Sequence, residues 1–181
     1  MTQTSGSLAF LSLTTLDSMQ AVLRRLGAER DVASLYAAAV KEAAAFFRAT
    51  QCGLSLYDAA TDTLHPIHPG IGLDASQIEA IAAMSPDSVR QLHAHWPEHG
   101  VVRLFDPAYA PFADPALVTK LGERDVLLAH LRAEDQLIGV LRLANRADGA
   151  AFSKEEAHLL GFYASQVGLL IHNLRVLDQE R

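Results

Sequence analysis

The sequence predicts an α+β domain in which one antiparallel sheet has its helices gathered to one side. Three observations carry that expectation. Apolar residues from Val32 to Phe47 recur with an almost unbroken helical period. From Gln51 the period changes to two, and further alternating segments joined by a tight turn follow at 126–145. A second long helical pattern closes the chain from Ser153. At 181 residues, half of them apolar and 20% charged, the chain has the length of one compact domain and ample material for its core.

The first seven residues are polar and Gly/Ser-bearing, and residues 1–13 read as an N-terminal tail. Leu8–Leu16 is apolar, but Ser12, Thr14 and Thr15 interrupt it and no basic segment precedes it, so it makes a poor signal peptide. Leu16, Met19, Leu23 and Leu26 recur at spacings of 3, 4 and 3. That is the seam of a helix within 14–30 that packs on another helix and closes at Gly27. Asp31 is placed to cap a second helix, whose inward positions are Val32, Leu35, Tyr36, Ala39, Val40, Ala43, Phe46 and Phe47. Cys52, Leu54 and Leu56 then define a strand, Asp58–Asp62 a turn, and Thr63–His68 the returning strand. Pro66 and Pro69 have no N–H to donate, so that strand is expected to lie at a sheet edge or to end early.

Two short helices broken at Ser85-Pro86 fill 74–95, and a stretch with Pro97, Pro107, Pro111 and Pro115 follows. Trp96, Phe105, Tyr109 and Phe112 lie in this stretch, around a short strand at 101–105. Aromatic residues in such a connection read as a lid packed over something. Val126–Arg132 and Gln136–Asn145 form a hairpin across Ala133-Glu134-Asp135. Ser153, with Glu156 three residues on, opens the last helix with a capping box. That helix runs roughly 42 Å at 1.5 Å per residue, to near the end of the chain.

Fifteen Lys and Arg against 21 Asp and Glu give a formal charge of −6. This is not the basic face that nucleic acid or a membrane surface requires, and neither is an expected partner. No apolar run approaches the roughly 20 residues of a membrane span. The single cysteine excludes an internal disulfide and a multi-thiolate zinc site, and it fits a reducing, cytoplasmic environment.

The C-terminal part carries a family resemblance. Leu137-Ile-Gly-Val-Leu-Arg-Leu-Ala-Asn145, Arg146, a Gly-containing turn, Phe152-Ser-Lys-Glu-Glu156 and a helix ending Leu170-Ile-His-Asn173 resemble a GAF domain. GAF domains are the small-molecule sensor modules of phosphodiesterases, adenylyl cyclases, phytochromes and bacterial sensor kinases. The order of elements from about Asp31 to Leu177 is similar too. The GAF-like domain is therefore placed at 31–177, with 178–181 a helical end or a linker to an output domain. The resemblance implies a sheet of about five or six strands, with the N- and C-terminal helices on one face and the short helices and lid on the other. It also implies a non-enzymatic sensory or regulatory domain in bacterial signal transduction, serving a kinase, cyclase or transcriptional regulator in cis or trans. Asn145, Arg146, Phe152 and Glu156 match the Asn-Lys, Phe and Asp-Glu motif of cyclic-nucleotide-binding members, which braces the pocket from outside. Arg146 and Glu156 keep its ion pair. Ala157 stands where the last acid belongs, so the motif is a fold marker rather than the sign of a cyclic nucleotide.

Such a domain takes its small molecule between sheet and lid. The walls expected there are Leu54 or Leu56, Ile67, Trp96, Phe105, Tyr109 and Phe112, with His130 on one sheet face. No Lys or Arg occurs between Ala49 and Val89, which leaves Arg103 and Arg142 as the strand cations to meet a ligand. The alternative is a ligand-free dimerisation module whose aromatics fill the space. His93, His95 and His99 form the densest histidine cluster, but Pro97 breaks the helix that would align them for metal or haem. No metal site is assigned, and the sequence names no cofactor. Cys52 reads as a core residue, and one thiol cannot run the free methionine sulfoxide reductase cycle found on this fold. Leu160, Tyr163, Val167, Leu170, Leu174 and Leu177 alternate at 3 and 4 along the last helix. With the seam of the first helix they predict a parallel homodimer, the alternative being that both stripes are consumed within one protomer.

Overall fold

The computed structural model describes residues 4–97 and 100–181, with side chains from residue 13 onward. Helices α1 (Thr4–Gly27) and α2 (Val32–Phe46) precede the hairpin of β1 (Ala49–Asp58) and β2 (Thr63–Pro66). Next come α3 (Ala75–Ala82), α4 (Pro86–Ala94), β3 (Val101–Arg103), a 3-10 turn at Ala110–Phe112 and α5 (Pro115–Leu121). The hairpin of β4 (Val126–Ala133) and β5 (Gln136–Arg146) leads into α6 (Lys154–Gln179). All strand pairs are antiparallel, in the order β2-β1-β5-β4-β3.

Local signals account for most of these elements. Asp31 Oδ1 accepts from the Ser34 N–H at 2.8 Å and starts α2. Ser153 and Glu156 close the capping box of α6 at 3.0 and 2.7 Å. β2 is an edge strand and stops at Pro66 rather than His68, with one further bond to β1, from the Ile67 N–H to the Leu54 carbonyl at 2.8 Å. β3 stops at Arg103 rather than residue 105, because the chain turns there with the Asp106 N–H on the Arg103 carbonyl. Helix α1 begins at Thr4 rather than at residue 14: a helix nucleated by a strong seam extends at one hydrogen bond per residue, even through Ser and Thr. Helix α5 lies in the stretch read as an irregular lid. Its signals are Asp114 accepting from the Ala116 N–H, Pro115 in the first turn, and Gly122 closing it at φ 64°.

Alternation along the strands divides the interior in two. Cys52, Leu54, Leu127, Leu131, Leu141 and Leu143 face α1, α2 and α6. Leu64, Val102, Val126, Leu128, Val140 and Ala144 face α4 and the lid. On the helical side the Tyr163 hydroxyl donates to the Ala39 carbonyl at 2.6 Å, tying α6 to α2, and burial pushes its ionisation upward. Met19, Leu26, Leu160, Tyr163 and Val167 are buried in this core, so half of the ten expected interface residues are consumed within the protomer. A 3-4 stripe marks the covered face of a helix, whatever covers it. Of the rest, Leu16 and Leu177 are exposed, and Leu23, Leu170 and Leu174 are half-buried. The apolar residues that α6 leaves open are Phe162, Leu169 and Val176, seven apart, with Leu177 beside them.

Helix α6 lies so close to β4 that a Cβ at Gly168 would sit 2.4 Å from the Arg132 carbonyl oxygen. Backbone cannot yield cheaply there, so Gly168→Ala lowers stability by about 1–3 kcal/mol despite its better helix propensity. Thermal unfolding checks this, as a fall in Tm of roughly 2–10 °C.

Candidate functional site

Between the second face of the sheet and the lid helices lies a mainly apolar cavity of about 70 Å³. Leu64, Leu128 and Val140 form its floor, and Ile81 of α3, Val89 and Leu92 of α4, Phe112 and Leu117 cover it. A smaller void of about 20 Å³ adjoins it and shares Ser55, Ile81 and Arg142.

Arg142 is the charged group of this floor. It lies mid-strand between Gly53 of β1 and Leu128 of β4 and is 9% exposed. Its Nε and Nη2 donate to Glu123 Oε1 at 2.9 and 2.5 Å, and Nη2 also donates to Gln51 Oε1 at 3.1 Å. Gln51 in turn donates to the Leu121 carbonyl at 2.7 Å. The Glu123 side chain is 3% exposed, so both charges are withdrawn from water and each depends on the other. Glu123 reaches the sheet because α5 ends one residue earlier, at the left-handed Gly122. Arg142 Nη1 is buried without a partner.

At one rim, α4 is latched to the sheet by aromatic and imidazole contacts. His93 Nδ1 and His130 Nε2 share a hydrogen bond of 2.9 Å, and the Trp96 ring stacks on His130 with centroids 3.5 Å apart. Desolvation lowers both imidazoles: His93 is shifted down against the opposing pull of Asp62, and His130 falls to about 3, where a charge on His93 or Arg132 would disfavour its protonation further. Nearby, the Tyr57 hydroxyl donates to Asp62, which also accepts from Arg90 at 3.3 Å.

Of the ten residues expected to bind a ligand, Phe112 and Arg142 line the larger cavity. Leu54 and Leu56 belong to the helical side, because positions 52, 54 and 56 share the face covered by α2 and α6. Ile67 packs there too, and with Leu54 it borders only the smaller void. Trp96, Tyr109 and His130 line an open groove beside α6 instead, and Phe105 packs at the edge of the lid core. Arg103 points away from the cavity to Asp125, at 2.9 Å, and to the Phe152 carbonyl. Sequence reasoning missed Ser55, His93 and Glu123 as cavity residues. Alternation carries a signal for Ser55, the polar residue between Leu54 and Leu56, but Glu123 reaches Arg142 from a distant segment.

The motif residues build the corner before α6. Arg146 pairs with Glu156 at 2.7 Å. Asn145, at φ 58°, accepts from the Arg124 N–H at 2.7 Å and donates to the Gly122 carbonyl at 2.9 Å. Asp125 completes the corner by accepting from Arg103 and from the Phe152 N–H, the latter at 2.7 Å, while the Phe152 ring is buried. All four residues thus act outside the cavity.

Among the described residues no three His, Cys, Asp or Glu are placed to hold a metal ion; His99 lies outside the described residues. His95 hydrogen-bonds the Gln91 carbonyl and stacks on Phe112. Burial pushes the Cys52 thiol up to about 12, which leaves it unreactive at neutral pH. No helix among the described residues is long and apolar enough to cross a membrane.

Fold and corner together define a sensory-domain architecture, and comparison places it. The chain belongs to the GAF family, whose domain model matches residues 31–171. GAF domains are sensory and regulatory modules and are generally non-catalytic. A GAF domain/HD domain protein from Geobacter sulfurreducens has a similar fold at 20% identity and TM-score 0.66, covering 85% of this chain and 98% of that one. The GAF domain of a phosphoenolpyruvate-protein phosphotransferase from Coxiella burnetii is similar at 14% identity and TM-score 0.70, covering 92% and 98%. The chromophore-binding domain of an unusual bacteriophytochrome from R. palustris is similar at 13% identity and TM-score 0.69, covering 92% and 63%. No curated protein sequence matches the chain.

Two measurements test this geometry. Asp125→Ala strands Arg103 and the Phe152 N–H and lowers unfolding free energy by about 2–4 kcal/mol in denaturant titration. His93 and His130 are neutral when folded but titrate near 6.5 when unfolded, so the unfolded chain binds more protons at acid pH. Their contribution to stability is complete above about pH 6.5 and is lost as pH falls toward 3. Tm measured from pH 7 to pH 5 therefore drops in the parent chain and drops less in His130→Phe.

Proposed function

We propose that this GAF domain is a non-enzymatic sensor that takes a small molecule in the cavity between sheet and lid and relays occupancy through α1 and α6 of a homodimer. The observation that carries the reading is Arg142 Nη1, a buried donor without a partner on an otherwise apolar cavity. A completely filled interior would favour a ligand-free dimerisation module; the 70 Å³ cavity favours the sensor. In this homodimer the terminal helices meet through their exposed residues rather than through those buried in the protomer. Phe162, Leu169 and Val176 repeat at the seven-residue period of paired helices, and α1 exposes Leu13 and Leu16. An output domain, whether kinase, cyclase or transcriptional regulator, is the partner such a pair of helices would drive.

Native mass spectrometry of freshly purified protein tests the sensor, through a retained mass that denaturation releases. Sedimentation tests the relay. The parent chain runs as a dimer at micromolar concentration, and a Leu169→Asp, Val176→Asp double variant runs as a monomer that still unfolds cooperatively. A monomeric parent chain rejects the dimer.

A further inference from the structure

Two buried side-chain nitrogens among the described residues lack a hydrogen-bond partner, Arg142 Nη1 and His93 Nε2, and both residues line the same cavity. Buried polar atoms are otherwise satisfied almost without exception, so each marks a place for a partner. Building on the cavity reading above, we infer that the ligand is a small, neutral, mainly apolar molecule whose one hydrogen-bond acceptor is taken by Arg142 Nη1.

Charge decides between a neutral and an anionic acceptor. Glu123 already neutralises the guanidinium at 2.5 Å, inside the fold. A carboxylate or phosphate on Nη1 would set a second negative charge near Glu123 in a low-dielectric interior, where repulsion is strongest and no cation remains to offset it. A carbonyl or hydroxyl oxygen completes the donor set of Arg142 without that penalty. Size narrows the class further. The two voids hold about 70 and 20 Å³. An engineered cavity of about 150 Å³ admits benzene, with its six non-hydrogen atoms, so these voids suit a molecule of about three or four. Pockets for drug-sized ligands run from about 300 Å³ upward. His93 Nε2 is donor or acceptor according to which imidazole of the His93–His130 pair holds the shared proton, so it accommodates a second polar atom of either kind.

Acetone and acetate have nearly the same shape and differ in charge, and xenon probes the apolar walls alone. Methyl NMR titrations of the full chain at pH 7 compare the three. Acetone is expected to shift the Leu128 and Val140 methyls and to bind at least about tenfold more tightly than acetate. Arg142→Lys keeps a cation beside Glu123 but withdraws the Nη1 donor. It is expected to weaken the ketone by about fivefold or more while the xenon response, which reports an intact cavity, persists. The comparison of ketone with acid needs no variant. Acetate binding as tightly as the ketone overturns the inference, as does ketone binding indifferent to Arg142→Lys. Xenon entering while neither organic probe does also overturns it, leaving the two nitrogens to ordered water. If neither xenon nor the ketone moves these methyls, the cavity reading falls and this inference falls with it.

Discussion

Strand β5 lies in the middle of the sheet and is covered on both faces, so its two-residue alternation serves two different cores at once. Leu141 and Leu143 pack against the helices, while Val140, Arg142 and Ala144 face the lid. A slip of one residue would drive Arg142 into the helical core and strip it of Glu123 and Gln51. Register is thus specified from both sides. Gly139 adds a local lock, since a Cβ there would stand 2.2 Å from the Ser55 carbonyl oxygen and force β1 away.

A charge at the centre of the sheet then dictates what surrounds it. Glu123 comes from the segment just after α5, Gln51 comes from β1, and Gln51 also holds the Leu121 carbonyl. The end of α5 is therefore fixed to the sheet floor by polar contacts. Helix α4 rests instead on apolar packing, the His93–His130 bond and the Arg90–Asp62 pair. A buried ion pair adds less stability than apolar side chains of equal volume would. Here it sets the position of one wall of the cavity and leaves one guanidinium nitrogen for another acceptor.

What could be read from the sequence follows from how local each signal is. Asp31, the Ser153–Glu156 box and the prolines of β2 act within a few residues, and the elements they bound were legible. Helix α5 carried the same kind of signal in Asp114, Pro115 and Gly122, but the density of proline around it read as irregular chain. The two faces of the sheet were harder. Alternation shows that Leu54 and Leu56 share a face without saying whether helices or lid cover it; the helices do. Arg142 was legible because it is the charged residue inside the apolar run from Leu137 to Ala144. Its partner Glu123 was not, since that pairing exists only in the folded chain. For the same reason a 3-4 stripe revealed that Leu160, Tyr163 and Val167 are covered, but not that their own protomer covers them.

The lid and the long helix meet on one short stretch of β4. His130 bonds to His93 of α4 and carries the Trp96 ring, and two residues later the Arg132 backbone is the surface on which α6 lies at Gly168. Between them, at Leu131 and Arg132, the pairing of β4 with β5 shifts register. Such a break interrupts the ladder locally and bends the strand. Under the proposed function, α4 would need to displace only this irregular stretch to change how α6 is seated. Gly168 leaves no side chain between helix and strand, so the Arg132 backbone lies directly against α6. The exposed Phe162, Leu169 and Val176 ride on that same helix, so the surface proposed to meet a second protomer moves with it.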